Sequence, residues 1–244
     1  AAAAAGAAAP SEGPRASQAA TALVDTMRAR SPNDLLLHAP EILHCIASSS
    51  SRALVETPGV IALSCTLAEE VRKQHFRLNL RQARTALSGC LTLLARLDGE
   101  DALALLPEAE RLFSTAVGTL PSKMRAESVF HRRGDVGLDA QDVLGWCELL
   151  ADDALVSVLR PTGAEAPRVP DDLWGSLATE AAKVSTRGEP DDVAVALLRT
   201  FLAVGKARGW SPTEEASPSG AVAGAVLSQW RRAIAVDGEE LEDP

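Results

Sequence analysis

The chain contains no tyrosine, and only four phenylalanines and four tryptophans among its 244 residues. Tyr, Phe, Ile and Thr favour strands, whereas Ala and Leu are strong helix formers. An apolar fraction of 46%, drawn from Ala, Leu and Val, therefore permits a sizeable core but leans away from a sheet. No run of about 18 apolar residues occurs, so no transmembrane helix is expected. There is also no Met at position 1, so the chain is expected to be a processed product or a fragment, with any targeting peptide already removed.

No C-x-x-C pair occurs. Cys45, Cys65, Cys90 and Cys147 are widely spaced in apolar helical stretches, where a free thiol behaves as a small buried hydrophobe. A chain of this length needs no disulfide staples, and a reducing compartment is expected. The phosphate-cradling G-x-x-x-x-G-K-[ST], the dinucleotide G-x-G-x-x-G and the nucleophile elbow G-x-S-x-G are all missing. His44 and Cys45 are adjacent and His38 lies six residues from His44, so neither spacing lets two side chains meet one metal on a regular helix. The pairs Asp152-Asp153, Asp171-Asp172 and Asp191-Asp192 could suggest paired carboxylates. The last two fall in first helical turns, where negative charge stabilises the helix dipole by roughly 0.3–1 kcal/mol. A chain that is not an enzyme and has no cofactor and no metal is therefore expected.

Charge is unevenly spread. The formal net charge is −9, yet residues 71–133 carry 11 Lys/Arg against 6 Asp/Glu, whereas residues 134–244 carry 9 against 20. An acidic chain is repelled by phosphate unless its cations are segregated. The candidates for RNA phosphate contact are Arg72, Lys73, Arg77, Arg81, Arg84, Lys123, Arg125, Arg132 and Arg133. Arg77, Arg81 and Arg84 stand at i, i+4 and i+7 and would share a face if the helix there begins early enough. Aromatic rings for base stacking are sparse in this region: Phe76, Phe113 and Phe130. Trp146, Trp174, Trp210 and Trp230 fall in the acidic half, as core or inter-helix anchors; an exposed one would suit an interface hot spot.

Residues 1–18 form a low-complexity Ala-rich arm broken by Gly6, Pro10, Gly13 and Pro14. A helical rhythm follows: 19–29, then a helix from Ser31-Pro32 that Pro40 must kink or interrupt, then Val60–Gln74. The clearest helix is 80–97. Asn79 and Gln82 form a capping-box pattern there, and Leu80, Ala83, Leu87, Leu91, Leu94 and Leu97 share one face. Pro107–Val117 and Ser122–His131 read as two shorter helices separated by Gly118 and Pro121. Asp139 caps a helix continuing towards Leu159. Pro161–Pro170 is the linker, helices follow at about 171–184, 190–207 and 221–236, and 237–244 is an acidic tail. Similar start signals recur at Ser31, Leu78, Leu138, Val169 and Glu189, without a fixed period. The fold expected is all-α, an irregular helical-hairpin repeat (α-solenoid-like) array over 19–160 with further helices at 171–236.

The stretch LNLRQARTALSGCLTLLARL (78–97), ending in Leu94-Ala95-Arg96-Leu97, resembles the first helix of an octotricopeptide or heptatricopeptide repeat. Such units also occur in FAST-kinase-like and RAP-domain proteins of mitochondria and plastids. Residues 190–212, with Phe201-Leu202-Ala203-Val204-Gly205-Lys206 in the matching place, and residues 138–159 are similar. The resemblance covers about a third of the chain. It implies an α-solenoid of paired helices, a mitochondrial matrix location and RNA-linked work. The irregular period, the lack of a RAP domain and the acidic balance depart from the pattern and favour a scaffold that contacts other proteins.

The function expected is thus a non-catalytic scaffold subunit of an organellar ribonucleoprotein such as the mitochondrial ribosome, touching other proteins and, through 71–133, rRNA. Two alternatives stand beside it: a free-standing organellar RNA-binding factor using the same basic surface, and a supernumerary subunit of a respiratory or other protein-only complex.

Overall fold

A computed structural model describes residues 32–131, 139–159, 169–185, 192–214 and 216–239, together with Ala22, Asp25, Thr26 and Ala29, which are helical. Among the described residues the protein is all-helical, with no strand. The helices are α1 (Pro32–Ser48), α2 (Arg52–Val55), α3 (Pro58–Lys73), α4 (Leu80–Arg96), α5 (Gly99–His131), α6 (Ala140–Ala151), α7 (Asp153–Val156), α8 (Asp171–Ser185), α9 (Asp192–Arg208) and α10 (Pro218–Glu239). Single 3-10 turns occupy His75–Arg77 and Ser157–Leu159. No helix among these residues is long and apolar enough to cross a membrane. The Ala-rich arm, Arg132, Arg133, most of the 161–170 linker and the end of the acidic tail lie outside the described residues.

The chain divides into two compact units, one from residues 1–78 and 85–116, the other from 79–84 and 117–244. In the first, α1 packs on α3. Leu43, Val60, Leu67, Val71, Leu87, Leu91, Leu105 and Leu112 are fully buried there. Each such side chain contributes roughly 1.5–3 kcal/mol relative to exposure. α1 continues through Pro40 without interruption, because Ala39, Pro40, Leu43 and Ile46 are buried together and packing outweighs the lost backbone bond. The backbone of α1 comes close to α4 at Gly89: a Cβ there would stand 2.8 Å from the backbone nitrogen of His44. Arg96, in the last turn of α4, donates to the carbonyl of Ala47, one of the last four of α1, which no intrahelical N–H can meet.

Two of the expected helices prove to be one. α5 runs unbroken through Pro107, Gly118 and Pro121. Its buried positions Leu105, Ala109, Leu112, Phe113 and Ala116 continue at helical steps into Leu120 and Met124, so the apolar face overrides the local penalty of roughly 3 kcal/mol per proline. Leu103, whose carbonyl loses its partner to Pro107, is exposed, and water can satisfy it.

In the second unit the helix begun at Asp139 does not run on to Leu159. Its cap holds, the Asp139 carboxylate accepting from the Gln141 N–H at 3.1 Å, but α6 stops at Ala151. Asp152 leaves the helical region at φ −78°, ψ 85° and caps α7 by accepting from Leu155 N–H at 2.9 Å. A short carboxylate competing for backbone donors breaks the helix. α8, α9 and α10 pack on one another, and α6 packs on α8 and α9. Trp174 meets Phe201 edge-on at 5.7 Å, and Arg208 lies over the rings of Trp174 and Trp210 while pairing with Asp171. Gly209, at φ +72°, ends α9 with the Trp210 N–H bonded to the carbonyl of Gly205 at 2.9 Å, a Schellman closure.

Candidate functional site

The densest set of perturbed ionisable groups gathers around the first turn of α4, within the second unit. The capping box forms reciprocally: Gln82 N–H donates to Asn79 Oδ1 at 2.8 Å, and Asn79 N–H donates to Gln82 Oε1 at 3.2 Å. The Leu80 N–H, one of the four donors a helix start leaves unmet, is taken at 2.9 Å by Glu127 of α5. The Leu80 carbonyl accepts the indole N–H of Trp146 from α6 at 3.1 Å. Arg81 Nε stands 3.7 Å from Asp142 Oδ1, an ion pair without a hydrogen bond. The Arg84 guanidinium fills the space beside α6 that a side chain at Gly145 would take, its Nη1 1.1 Å from where a Cβ would stand.

Burial pushes the Glu127 carboxyl above its ordinary range. The Leu80 N–H opposes this, neighbouring Asp142 adds to it, and Lys123 opposes it. Burial likewise raises Asp142, against the pull of Arg81 and Arg84 and with a push from Asp139. Burial lowers Lys123, and Glu127 partly restores it. Perturbed groups of this kind mark active sites. Here each carboxylate faces a helix end or a guanidinium of its own chain, and the arrangement joins α4, α5 and α6 by charge and by hydrogen bonds.

The structure scatters the sequence candidates for RNA contact. Arg72 lies 3.9 Å from Glu108, and Lys73 pairs with Glu69 at 2.9 Å and Glu70 at 3.7 Å. Arg77 sits in the 3-10 turn and donates to Gln74 at 2.9 Å. Arg81, Arg84 and Lys123 belong to the cluster just described, and Arg125 is exposed on α5. The shared face of Arg77, Arg81 and Arg84 does not form on one helix. α4 starts only at Leu80, because Leu78 is extended (φ −84°, ψ 141°) and Asn79 is the cap. Glu127 and Trp146 were not legible as partners of Leu80, being 47 and 66 residues away. Asp142 carried a weak signal as the acidic residue three places after a cap.

The cysteines divide. Cys90 and Cys147 are buried, with burial pushing the Cys90 thiol up to about 12 and raising Cys147 as well. Cys65 is half-buried, its thiol raised by burial and then by Glu108. Cys45 is exposed on α1, against the expectation that all four lie inside. Trp146 and Trp174 are core, whereas Trp230 is 44% exposed. Among the described residues no group of three or more His, Cys, Asp or Glu could hold a metal ion. The chain matches no protein-family model, no curated protein and no solved structure.

Proposed function

We propose that the chain is a non-catalytic helical scaffold, an irregular solenoid-like array that presents helix faces to neighbouring proteins in a large organellar ribonucleoprotein. The observation that carries this reading is where its cations go. Arg72, Lys73 and Arg81 each stand within 4 Å of a carboxylate of their own chain, and the Arg84 charge acts on Asp142. Cations already facing a carboxylate of their own chain are weaker phosphate grips, since affinity for RNA follows the number of phosphates neutralised. That favours protein neighbours over direct RNA reading. The resemblance of residues 78–97 to organellar helical repeats supports the location and the ribonucleoprotein setting.

The test is sedimentation of the native protein with and without ribonuclease. The reading expects a heavy particle in untreated extract, which ribonuclease breaks into smaller protein complexes that still hold the chain. A free monomer in both samples would overturn it. Release of the chain alone by ribonuclease would favour direct RNA attachment instead.

A further inference from the structure

We propose that Ser211, in the turn between α9 and α10, is a phosphorylation site for a proline-directed protein kinase, and that its phosphate takes the Arg208 guanidinium from Asp171. Such kinases read a serine or threonine followed directly by proline. Among the described residues that pair occurs at Thr57-Pro58, Ser211-Pro212 and Ser217-Pro218. Two of the three are committed to helix starts. The Thr57 carbonyl accepts the N–H groups of Val60 and Ile61 at 2.8 and 3.1 Å as α3 begins. Ser217 is buried ahead of α10, its hydroxyl bonded to the carbonyl of Glu214 and to the Gly220 N–H. Ser211 starts no helix. Its residue is partly exposed, and among the described residues its hydroxyl meets only the Thr213 hydroxyl, at 2.9 Å. Pro212, Thr213 and Glu214 beside it are exposed. The turn is closed by a long bond from the Glu214 N–H to the Ser211 carbonyl, 3.3 Å, and by the Ser217 hydroxyl on the same carbonyl. Bonds of that kind can open into the extended form a kinase groove takes.

The transfer is an ordinary phosphoryl exchange. Ser211 Oγ bonds to the γ-phosphorus of a nucleoside triphosphate as the bridging P–O bond breaks. The nucleoside diphosphate leaves with that electron pair, and the hydroxyl proton passes to the base of the kinase. The product sits beside a cation that is already half engaged. Arg208 lies over the ring of Trp210, the residue before Ser211, 5.5 Å from its centre. Its Nη2 donates to the Val169 carbonyl at 2.9 Å, while Nη1 pairs with Asp171. The Asp171 side chain is 75% exposed, and exposed ion pairs contribute little. A phosphoserine carries about two negative charges near pH 7 and three acceptor oxygens that a guanidinium takes as a fork. Nη1 can therefore exchange partners while Nη2 stays on Val169. Glu214, three residues after Ser211, adds a repulsion that solvent and salt screen.

Mass spectrometry of the full chain, isolated from its native host with phosphatases inhibited, tests the site. Trypsin releases residues 209–231, which also hold Thr213, Ser217, Ser219 and Ser228. The expected result is one phosphate on this peptide, placed at Ser211 by fragmentation and removed by phosphatase. Pro212→Ala, expressed in the same host, should lose it, and Thr213→Ala should keep it. A recovered peptide without phosphate, or with phosphate on Thr213 or Ser217 instead, overturns the proposal, as does a Pro212→Ala chain modified like wild type. Urea midpoints test the exchange. Asp171→Asn should lower the midpoint of the phosphatase-treated chain and leave that of the phosphorylated chain unchanged. An equal shift in both overturns the transfer of Arg208 to the phosphate.

Discussion

Trp146 of α6 donates its indole N–H to the carbonyl of Leu80, 3.1 Å away in the first turn of α4, and both residues are almost fully buried. The bond joins positions 66 apart in sequence and fixes where α4 begins relative to α6. Trp146→Phe keeps most of the packing and removes the bond. It should cost about 0.5–1.5 kcal/mol for the bond, whereas Trp146→Ala should cost about 3–5 kcal/mol. Urea midpoints at constant m-value measure both, and a Trp146→Phe variant as stable as wild type would show that the bond contributes nothing.

Glu127 gives the fold a pH dependence of a stated sign. Its folded carboxyl is raised, chiefly by burial, so the native state holds the proton more tightly than the unfolded chain. The stability this contributes is full below the ordinary glutamate value of 4.5 and is lost as pH rises through the folded value. Asp142, also raised by burial, acts in the same direction from its own ordinary value of 3.8. Glu127→Gln keeps an acceptor for Leu80 N–H and removes the titration. Its stability relative to wild type should therefore improve as pH rises from about 4.5 towards neutrality. A difference that stays flat with pH would contradict the assignment.

Glycines on α4, α5 and α8 should respond in opposite directions. Gly89→Ala places a methyl 2.8 Å from the α1 backbone and should destabilise the chain by about 1–3 kcal/mol. Gly118→Ala in α5 and Gly175→Ala in α8 meet nothing within 4 Å and should stabilise by about 0.5–1 kcal/mol. Thermal unfolding of the three variants checks the contrast.

Native-state thiol labelling should proceed in the order of burial. Cys45 should react fast and Cys65 slowly, with Cys90 and Cys147 protected until the chain opens. Cys45→Ser should abolish the fast phase, and an unchanged trace would contradict the exposure of Cys45.

The parts of this fold legible in the sequence are the local ones. The Asn79–Gln82 box, the Asp139 cap and the one-sided run from Leu80 to Leu97 are encoded within four residues or in a 3.6-residue period, and each stands in the structure. Pro107 and Pro121 misled because they speak only of the backbone bond they remove, while the decision lay with apolar positions packed elsewhere in the chain. Asp152 read as an acidic pair with Asp153, since its role as a cap depends on α6 stopping one residue earlier. The charged cluster was the least legible feature. Glu127, Asp142 and Trp146 acquire meaning only when three helices bring them to one helix start, and the basic candidates looked like a surface because their carboxylate partners are not always neighbours in sequence.

Arg72, Lys73 and Arg81 face carboxylates of their own chain and Arg84 acts on Asp142, which leaves little of the 71–133 charge for phosphate. The most direct measurement is titration of the purified protein with single-stranded RNA at 50 and 200 mM salt. The expected result is binding no tighter than the non-specific range, about 10⁻⁴–10⁻⁶ M, at the higher salt. Nanomolar binding there, weakened by charge reversal at Arg77 and Arg125, would contradict it.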